Sequence, residues 1–506
     1  MKCKVKRNTK KVTLLLSLLL LSSCNLEVTF FPYTHHISDT DTYTRIETSD
    51  YYKVGAFARS YQDVLKSNLN GNSRVVPLKS SGEQKILVLP VNFPDYDLNE
   101  LDGNNGKTAH IHIQNAFFGE NHTTRFYSVA GYYEASSYGK LKLSGDVAPW
   151  YTLPAEYSVS AIKSRVRSNS DKLNETAEIL NLALKEYAKS NDLSAFDLDE
   201  NGVLDSAYVI YSYPFEPKDV NNIFWAFAAN MNKKDPELTH QANAYSWSSY
   251  YYLDVARNKK PDPHTYIHEV GHLFGLPDYY NTNYDDPYSP LGGFDMMDYT
   301  LGDHTGLSKM LLDWARPYAL KRSTTIKLRP FSETGDLLVL KNNWNEKAND
   351  EYILLEYYTP TVLNELDSTL NASFKLPKTN GVKVYHVDAR TVYEIKNGSI
   401  VKYPYVNDYE GEFNGTELLA HSNSTGSYNN APIKTNKLYK LLEPKESTNI
   451  SESFNQANQH SLFQKGDEFG YEYFKNFAFN DKTPLNFRFK IVQLTNAYAT
   501  IEIEVY

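Results

Sequence analysis

The stretch Asp262-Pro263-His264-Thr265-Tyr266-Ile267-His268-Glu269-Val270-Gly271-His272-Leu273-Phe274-Gly275-Leu276-Pro277-Asp278 decides how the chain is read. Asp262 can cap a helix, and Pro263 suits the first helical position, where its missing N–H is no loss. Gly275 suits the left-handed residue that ends a helix, and Pro277 prevents continuation. The sequence therefore predicts a helix of about three turns, with Ile267, Val270 and Phe274 packed into the core. On it His268 and His272 stand one turn apart on the same face, so their imidazoles can converge on one ion. Glu269 lies beside them, placed to act on a water molecule and not on the metal. The glycine turn lets Asp278 return as a third ligand. Three protein ligands with one open position are the catalytic form of a zinc site.

The pattern is specific. A chance His-Glu-x-x-His in a chain of this composition has odds of roughly two per cent, and Gly275 with Asp278 at their offsets lowers that to around one in ten thousand. After Glu269 the next glutamate is Glu333, so a zinc site closed by a nearby later Glu has no candidate. Asp285, Asp286, Asp295, Asp298 and Asp303 follow the helix, but only Asp278 comes directly after the turn. His264, one turn before His268, is expected to be exposed and outside the ligand set.

Working outward, the 506 residues are 41% hydrophobic and 22% charged, enough to bury a core and too apolar for overall disorder. Formal net charge is -9; residues 1–23 hold six of the 52 basic residues and no acid, so without them 46 basic residues face 61 acidic ones, a charge of -15. Such a chain repels phosphate backbones, which excludes nucleic acid as a partner. Two cysteines exclude a disulfide scaffold.

The N-terminus reads as an address. A basic stretch to Lys11 precedes the apolar run Val12–Leu20, which is too short to span a bilayer and has the layout of an export signal. Leu21-Ser22-Ser23-Cys24 resembles the bacterial lipobox, in which the Cys is lipidated and becomes the mature N-terminus. This implies a signal peptide over 1–23 and a lipid anchor at Cys24 on the extracellular face of the cell membrane. No other window approaches the ~18 apolar residues of a spanning helix.

Residues 24–80 are polar and weakly patterned, a tether or prosegment. Ile86-Leu87-Val88-Leu89-Pro90-Val91 reads as a buried strand, Leu173, Ala177, Leu180 and Leu184 as one face of a helix over 172–189, and Tyr208–Tyr211 as another strand. Strands and helices mix up to about residue 320. Beyond it, Thr325–Leu328, Leu337–Leu340, Tyr352–Tyr357, Val382–Val387 and Phe487–Leu494 look like strands, and Thr500–Val505 alternates with period two. The stretch 395–460 reads as long loops.

One further loop has ion-binding spacing. Asp197, Asp199, Asn201 and Asp205 occupy positions 1, 3, 5 and 9 of a calcium loop with Gly202 at position 6. Position 12 is Tyr208, not the bidentate Glu, so the competing reading is a plain Asn-Gly turn.

His-Glu-Val-Gly-His-Leu-Phe-Gly-Leu-Pro-Asp resembles the zinc motif of the immune inhibitor A family of secreted bacterial metallopeptidases, within the metzincin-like group. Lys85–Asp95 is similar to the family's opening strand, Ser128–Lys140 to its Tyr-Tyr-x-x-x-Ser-x-Gly segment, and Gly381–Asp388 to a later strand. The likeness covers about 85–390. It implies an α+β architecture: a metzincin-like zinc peptidase domain over 81–322, with a mixed sheet and helices, then an all-β domain over 323–506. It also implies a Met-containing turn beneath the metal, which Phe294-Asp295-Met296-Met297-Asp298-Tyr299 fits, with Met297 as the floor. The family places small hydroxyl residues after that Met. Met297-Asp298-Tyr299 is instead closer to the astacin and serralysin turn, which makes Tyr299 a candidate for holding an oxyanion, with His304 as the competing donor.

The expectation is a monomeric, membrane-anchored zinc endopeptidase acting on proteins or peptides, with His268, His272 and Asp278 as ligands and Glu269 as general base. The alternative is a surface adhesin with a vestigial zinc site, which the intact Glu269 argues against.

Overall fold

The apolar run Ile86–Val91 forms the middle of strand β1 (Gly82–Asn92), and it is apolar on successive residues because both of its faces are covered. Ile86 and Val88 point into one core; Leu87, Leu89 and Val91 point into another. The computed structural model describes residues 43–45 and 78–506, apart from 199, 217–221, 232, 234, 281–288, 321, 343–349, 370–374, 390, 397–398, 403–415, 420–422, 424–436, 445–455, 473–476 and 481. The expected signal peptide, the Cys24 anchor and nearly all of the 24–80 stretch lie outside the described residues, which all belong to one compact unit.

The helices α1 (Lys107–Phe118) and α2 (Val129–Ser136) follow β1, then β2 (Leu141–Val147), the helix α3 (Asn169–Ala188), and the strands β3 (Ala207–Tyr211), β4 (Phe227–Asn230) and β5 (Ala244–Ser249). They build a sheet in the order β2-β1-β3-β5-β4, parallel except for the antiparallel edge strand β4. The helix α4 (His264–Leu273), together with α1 and α2, covers one face; α3 covers the other. This half of the chain is mixed α/β, its sheet buried between helical layers as parallel strands require.

After α4 come the short α5 (Met296–Tyr299) and α6 (Gly306–Leu311), then strands. The strands β6 (Tyr318–Leu320), β7 (Thr324–Leu328), β8 (Leu337–Leu340), β9 (Glu351–Tyr358), β10 (Gly381–Asp388), β11 (Tyr439–Leu442), β12 (Glu468–Gly470), β13 (Phe487–Leu494) and β14 (Ala499–Val505) complete the chain. Tyr43–Arg45, β6, β8, β9, β10 and β11 form a six-stranded sheet in that order, and β7-β14-β13-β12 a four-stranded antiparallel one. Period-two alternation decides the faces: Ala499, Ile501 and Ile503 enter the core between the two sheets, while Glu504 turns outward to Arg488.

Two findings differ from the expectation. Short helices, Phe331–Thr334 and Glu365–Thr369, sit among the C-terminal strands. The stretch expected to be loops contributes β11 as well as a separate three-stranded sheet of Thr391–Lys396, Ser399–Lys402 and Thr416–Leu419. One apolar core also crosses residue 322. Leu337, Val339, Leu354, Tyr385, Val387, Tyr439 and Leu441 share a cluster with Val270, Leu273, Met297 and Met310. The six-stranded sheet thus lies between the four-stranded sheet and the helices that carry the site.

Candidate metal centre

The helix α4 begins one residue later than expected, with Pro263 at the capping position, and Asp262 bonds to the His264 side chain. Its far end is as the glycine turn requires. Gly275 has φ 96°, and the amides of Gly275 and Leu276 reach back to the carbonyls of His272 and Gly271 at 3.0 and 3.1 Å. That reversal returns Asp278 to the face holding His268 and His272.

Each imidazole is fixed by its Nδ1–H. His268 donates to the Met296 carbonyl and His272 to the Leu276 carbonyl, each at 2.8 Å. Both Nε2 atoms are thereby turned toward one Asp278 oxygen, Oδ1, at 3.1 and 3.2 Å. Among the described residues, these three form the one group of three or more His, Cys, Asp or Glu whose ligand atoms gather within 4.8 Å. Two imidazole nitrogens and a carboxylate oxygen converging on one point fit a cation. The electrostatics agree: burial opposes charge on His272, yet the Asp278 carboxylate raises the imidazole to about 9. Burial would raise Asp278, but His272 and His268 hold it well below the usual carboxylate range. The site stabilises positive charge, and imidazole nitrogen with carboxylate oxygen is the donor set zinc accepts.

Glu269, next to His268, is buried, and its carbonyl accepts from Ser246 Oγ of β5 at 3.0 Å, tying the helix to the sheet. Met297 is fully buried beneath α4, with its sulfur against Gly271. The turn that carries it is organised by Asp295, whose carboxylate caps α5 through the Met297 amide at 2.8 Å and also accepts from the Thr305 amide and hydroxyl at 2.8 and 2.6 Å. Tyr299 lies at the end of α5 with its ring against Gly293. Burial, and then Asp298, pushes its phenol well up, so it stays a neutral donor. Asp298 itself accepts from Gly293 N and Ser289 Oγ, and burial raises its carboxyl to about 7.

Several candidates have other work. His304 is fully enclosed by Tyr132, Tyr133 and Trp314 with Nδ1 toward Asp295, a packing role and not that of a donor to substrate. His264 is not exposed. It stacks on Phe126 at 4.0 Å and sits between Asp262 and Asp367, at 2.5 and 3.1 Å. Asp303 pairs with buried Lys309. In the expected calcium loop, Asp197 accepts from the amides of Asn201 and Gly202 and Asp205 from that of Leu198, while Asn201 accepts from Val203; Asp199, Asp285 and Asp286 lie outside the described residues.

Sequence reasoning missed Tyr280, whose ring lies parallel to His268 with centroids 6.4 Å apart. It also missed Asn423, buried against Tyr279 next to Asp278. Tyr280 could have been noticed two places after Asp278; Asn423 carries no local signal.

Residues 74–206 match the immune inhibitor A peptidase M6 catalytic domain. The match takes in about a quarter of the chain, and over that segment the protein is similar to that peptidase domain. The match runs from just before β1 to the residue preceding β3, over the helices that cover α4 but not over α4 itself. The match supports a metallopeptidase, a hydrolase with protein or peptide substrates, and implies a metal. No curated protein matches the chain.

Proposed function

We propose that this chain is an M6-type, zinc-dependent endopeptidase of the His-Glu-x-x-His-x-x-Gly-x-x-Asp type, lipid-anchored through Cys24 on the extracellular face of the bacterial membrane. The observation that carries the zinc reading is the convergence of His268 Nε2, His272 Nε2 and Asp278 Oδ1, with both imidazoles locked by backbone carbonyls. Zinc bound there would supply a Lewis acid for the peptide carbonyl and acidify an attacking water. Glu269, one residue along the helix from His268, takes the proton of that water and passes it to the leaving amine. Tyr299 offers its neutral phenol to the developing oxyanion. The anchor rests on the Leu21-Ser22-Ser23-Cys24 sequence. No helix among the described residues is long and apolar enough to cross a membrane.

The test is metal analysis of the purified chain beside a peptide-library cleavage profile. One zinc per chain is expected, with cleavage lost to a chelator and restored by zinc. Glu269→Gln should keep zinc and lose cleavage; turnover in that variant contradicts the assignment of the base. Asp278→Ala should lose zinc; unchanged metal content points to another ligand. Full zinc with no cleavage of any peptide would favour the adhesin reading.

A further inference from the structure

The residue after the third ligand is held from every side. Tyr279 N donates to the Met297 carbonyl at 2.9 Å, its hydroxyl accepts from Ser308 Oγ at 3.2 Å, and its fully buried ring packs edge-on against Tyr439 at 5.4 Å. Its carbonyl is taken by a side chain 144 residues later: Asn423 Nδ2 donates to it at 2.9 Å.

Asn423 is itself locked. The second Nδ2 proton goes to the Tyr439 carbonyl at 2.7 Å, Oδ1 accepts from the Tyr439 amide at 2.9 Å, and the backbone carbonyl accepts from Lys437 Nζ at 3.3 Å. Turning the amide over would set Oδ1 against two carbonyl oxygens and the NH₂ against an N–H, so one orientation alone satisfies all three partners. The side chain is 1% exposed, and a buried donor left unmade there costs its full desolvation. Asn423 therefore clamps the Asp278–Tyr279 turn onto β11 of the C-terminal sheet.

We infer that Asn423 is a positioning residue of the metal centre, and that the C-terminal sheet, through Asn423 and Tyr439, aims Asp278 at the ion. The inference rests on the zinc reading above. The helix end fixes Leu276 on one side of Asp278, and Asn423 and Met297 fix Tyr279 on the other. With the carbonyl of Tyr279 released, the backbone beyond Asp278 keeps the Met297 bond but loses its tie to the C-terminal sheet, and the aim of Asp278 loosens. Partners that orient metal ligands in this way carry about 10- to 100-fold in affinity.

The experiment uses the full chain and three variants. Asn423→Ala removes the clamp. Asn423→Asp keeps size and the acceptor for Tyr439 N but cannot donate to the two carbonyls. Asn486→Ala is the control, cutting a side-chain bond to Asn342 that involves no residue of the metal centre. Zinc affinity is measured by competition with a chelator, and the visible absorption of the cobalt-loaded proteins reports ligand geometry. Both Asn423 variants should bind zinc about tenfold or more weakly, with a shifted cobalt band, while the control matches the parent. Parent-like affinity and spectrum in Asn423→Asp would overturn the inference and leave the zinc reading standing. A parent chain that binds no zinc at all would overturn both.

Discussion

The sulfur of Met297 lies so close to Gly271 that a Cβ placed there would come within 2.4 Å of it. Gly271 directly precedes His272, so the contact brings the Met297 turn against the helix that bears both histidines of the candidate metal centre. In an open helix Gly→Ala gains up to about 1 kcal/mol. Here Met297 is fully buried, and the hydroxyl of Tyr133 stands 3.3 Å from the same point. Overpacking should win: Gly271→Ala is expected to cost about 1–3 kcal/mol in chemical denaturation of the metal-free chain. The penalty should shrink in a Met297→Ala background, and an equal penalty in both backgrounds would show that the sulfur is not the obstacle.

His264 gives a pH signature. Burial opposes its charge, but Asp367 and then Asp262 raise the imidazole to about 10. Between the unfolded value near 6.5 and about 10 the folded chain holds a proton that the unfolded chain releases. This contribution is therefore complete below pH 6.5 and is lost as pH rises toward 10. Asp367→Asn should weaken it, so variant and parent should differ most below pH 6.5 and converge above pH 10. Denaturation midpoints across that range check this, and a difference that grows with pH would contradict it.

Lys309 is wholly buried, its ammonium 2.6 Å from Asp303 Oδ2 and 3.0 Å from the Tyr138 hydroxyl. Burial lowers its pKa against the pull of Asp303. Asp303→Ala leaves this cation without its counter-charge and should cost about 3–5 kcal/mol, whereas Asp303→Leu with Lys309→Met together should recover most of it. Urea denaturation decides; a loss below about 1 kcal/mol in the single variant would mean the lysine sheds its proton cheaply.

Two phenols have proposed parts in the site: Tyr280, stacked on the His268 ring, and Tyr299 on the Met297 turn. Removing a donor that holds an oxyanion costs about 10²–10³ in kcat. Tyr299→Phe should show that loss with little change in KM, while Tyr280→Phe, stacked on a ligand ring, should act mainly on zinc affinity. Steady-state kinetics with metal titration separate the two, and reversed effects would exchange their roles.

Cys24→Ser should release the chain from the membrane fraction. Labelling with a fatty-acid analogue would check this, and a variant that remains membrane-bound would sink the lipid-anchor assignment.

The ligand helix could be read from the sequence because its signals are local: histidines one turn apart, a glycine that alone tolerates φ 96°, a proline beyond it. Strands such as β1 and β14 were equally plain, one apolar on successive residues and the other alternating. What escaped were residues whose meaning depends on distant partners. His264 looked exposed on helical spacing, but Asp367 and Phe126 arrive from elsewhere to bury it. β11 is a short Tyr-Lys-Leu-Leu run inside a polar stretch, and becomes a strand because β10 offers it an edge. Asn423 has no periodicity or motif around it; its role exists only once Tyr279 and Tyr439 meet.

That meeting bears on when the enzyme becomes active. A ribosome delivers His268, Glu269 and His272 well before Asn423 and Tyr439. Until the last third of the polypeptide has been translated and has docked, the turn that carries Asp278 lacks part of its support, so on the proposed reading a nascent or cut-short copy would grip metal poorly and stay latent.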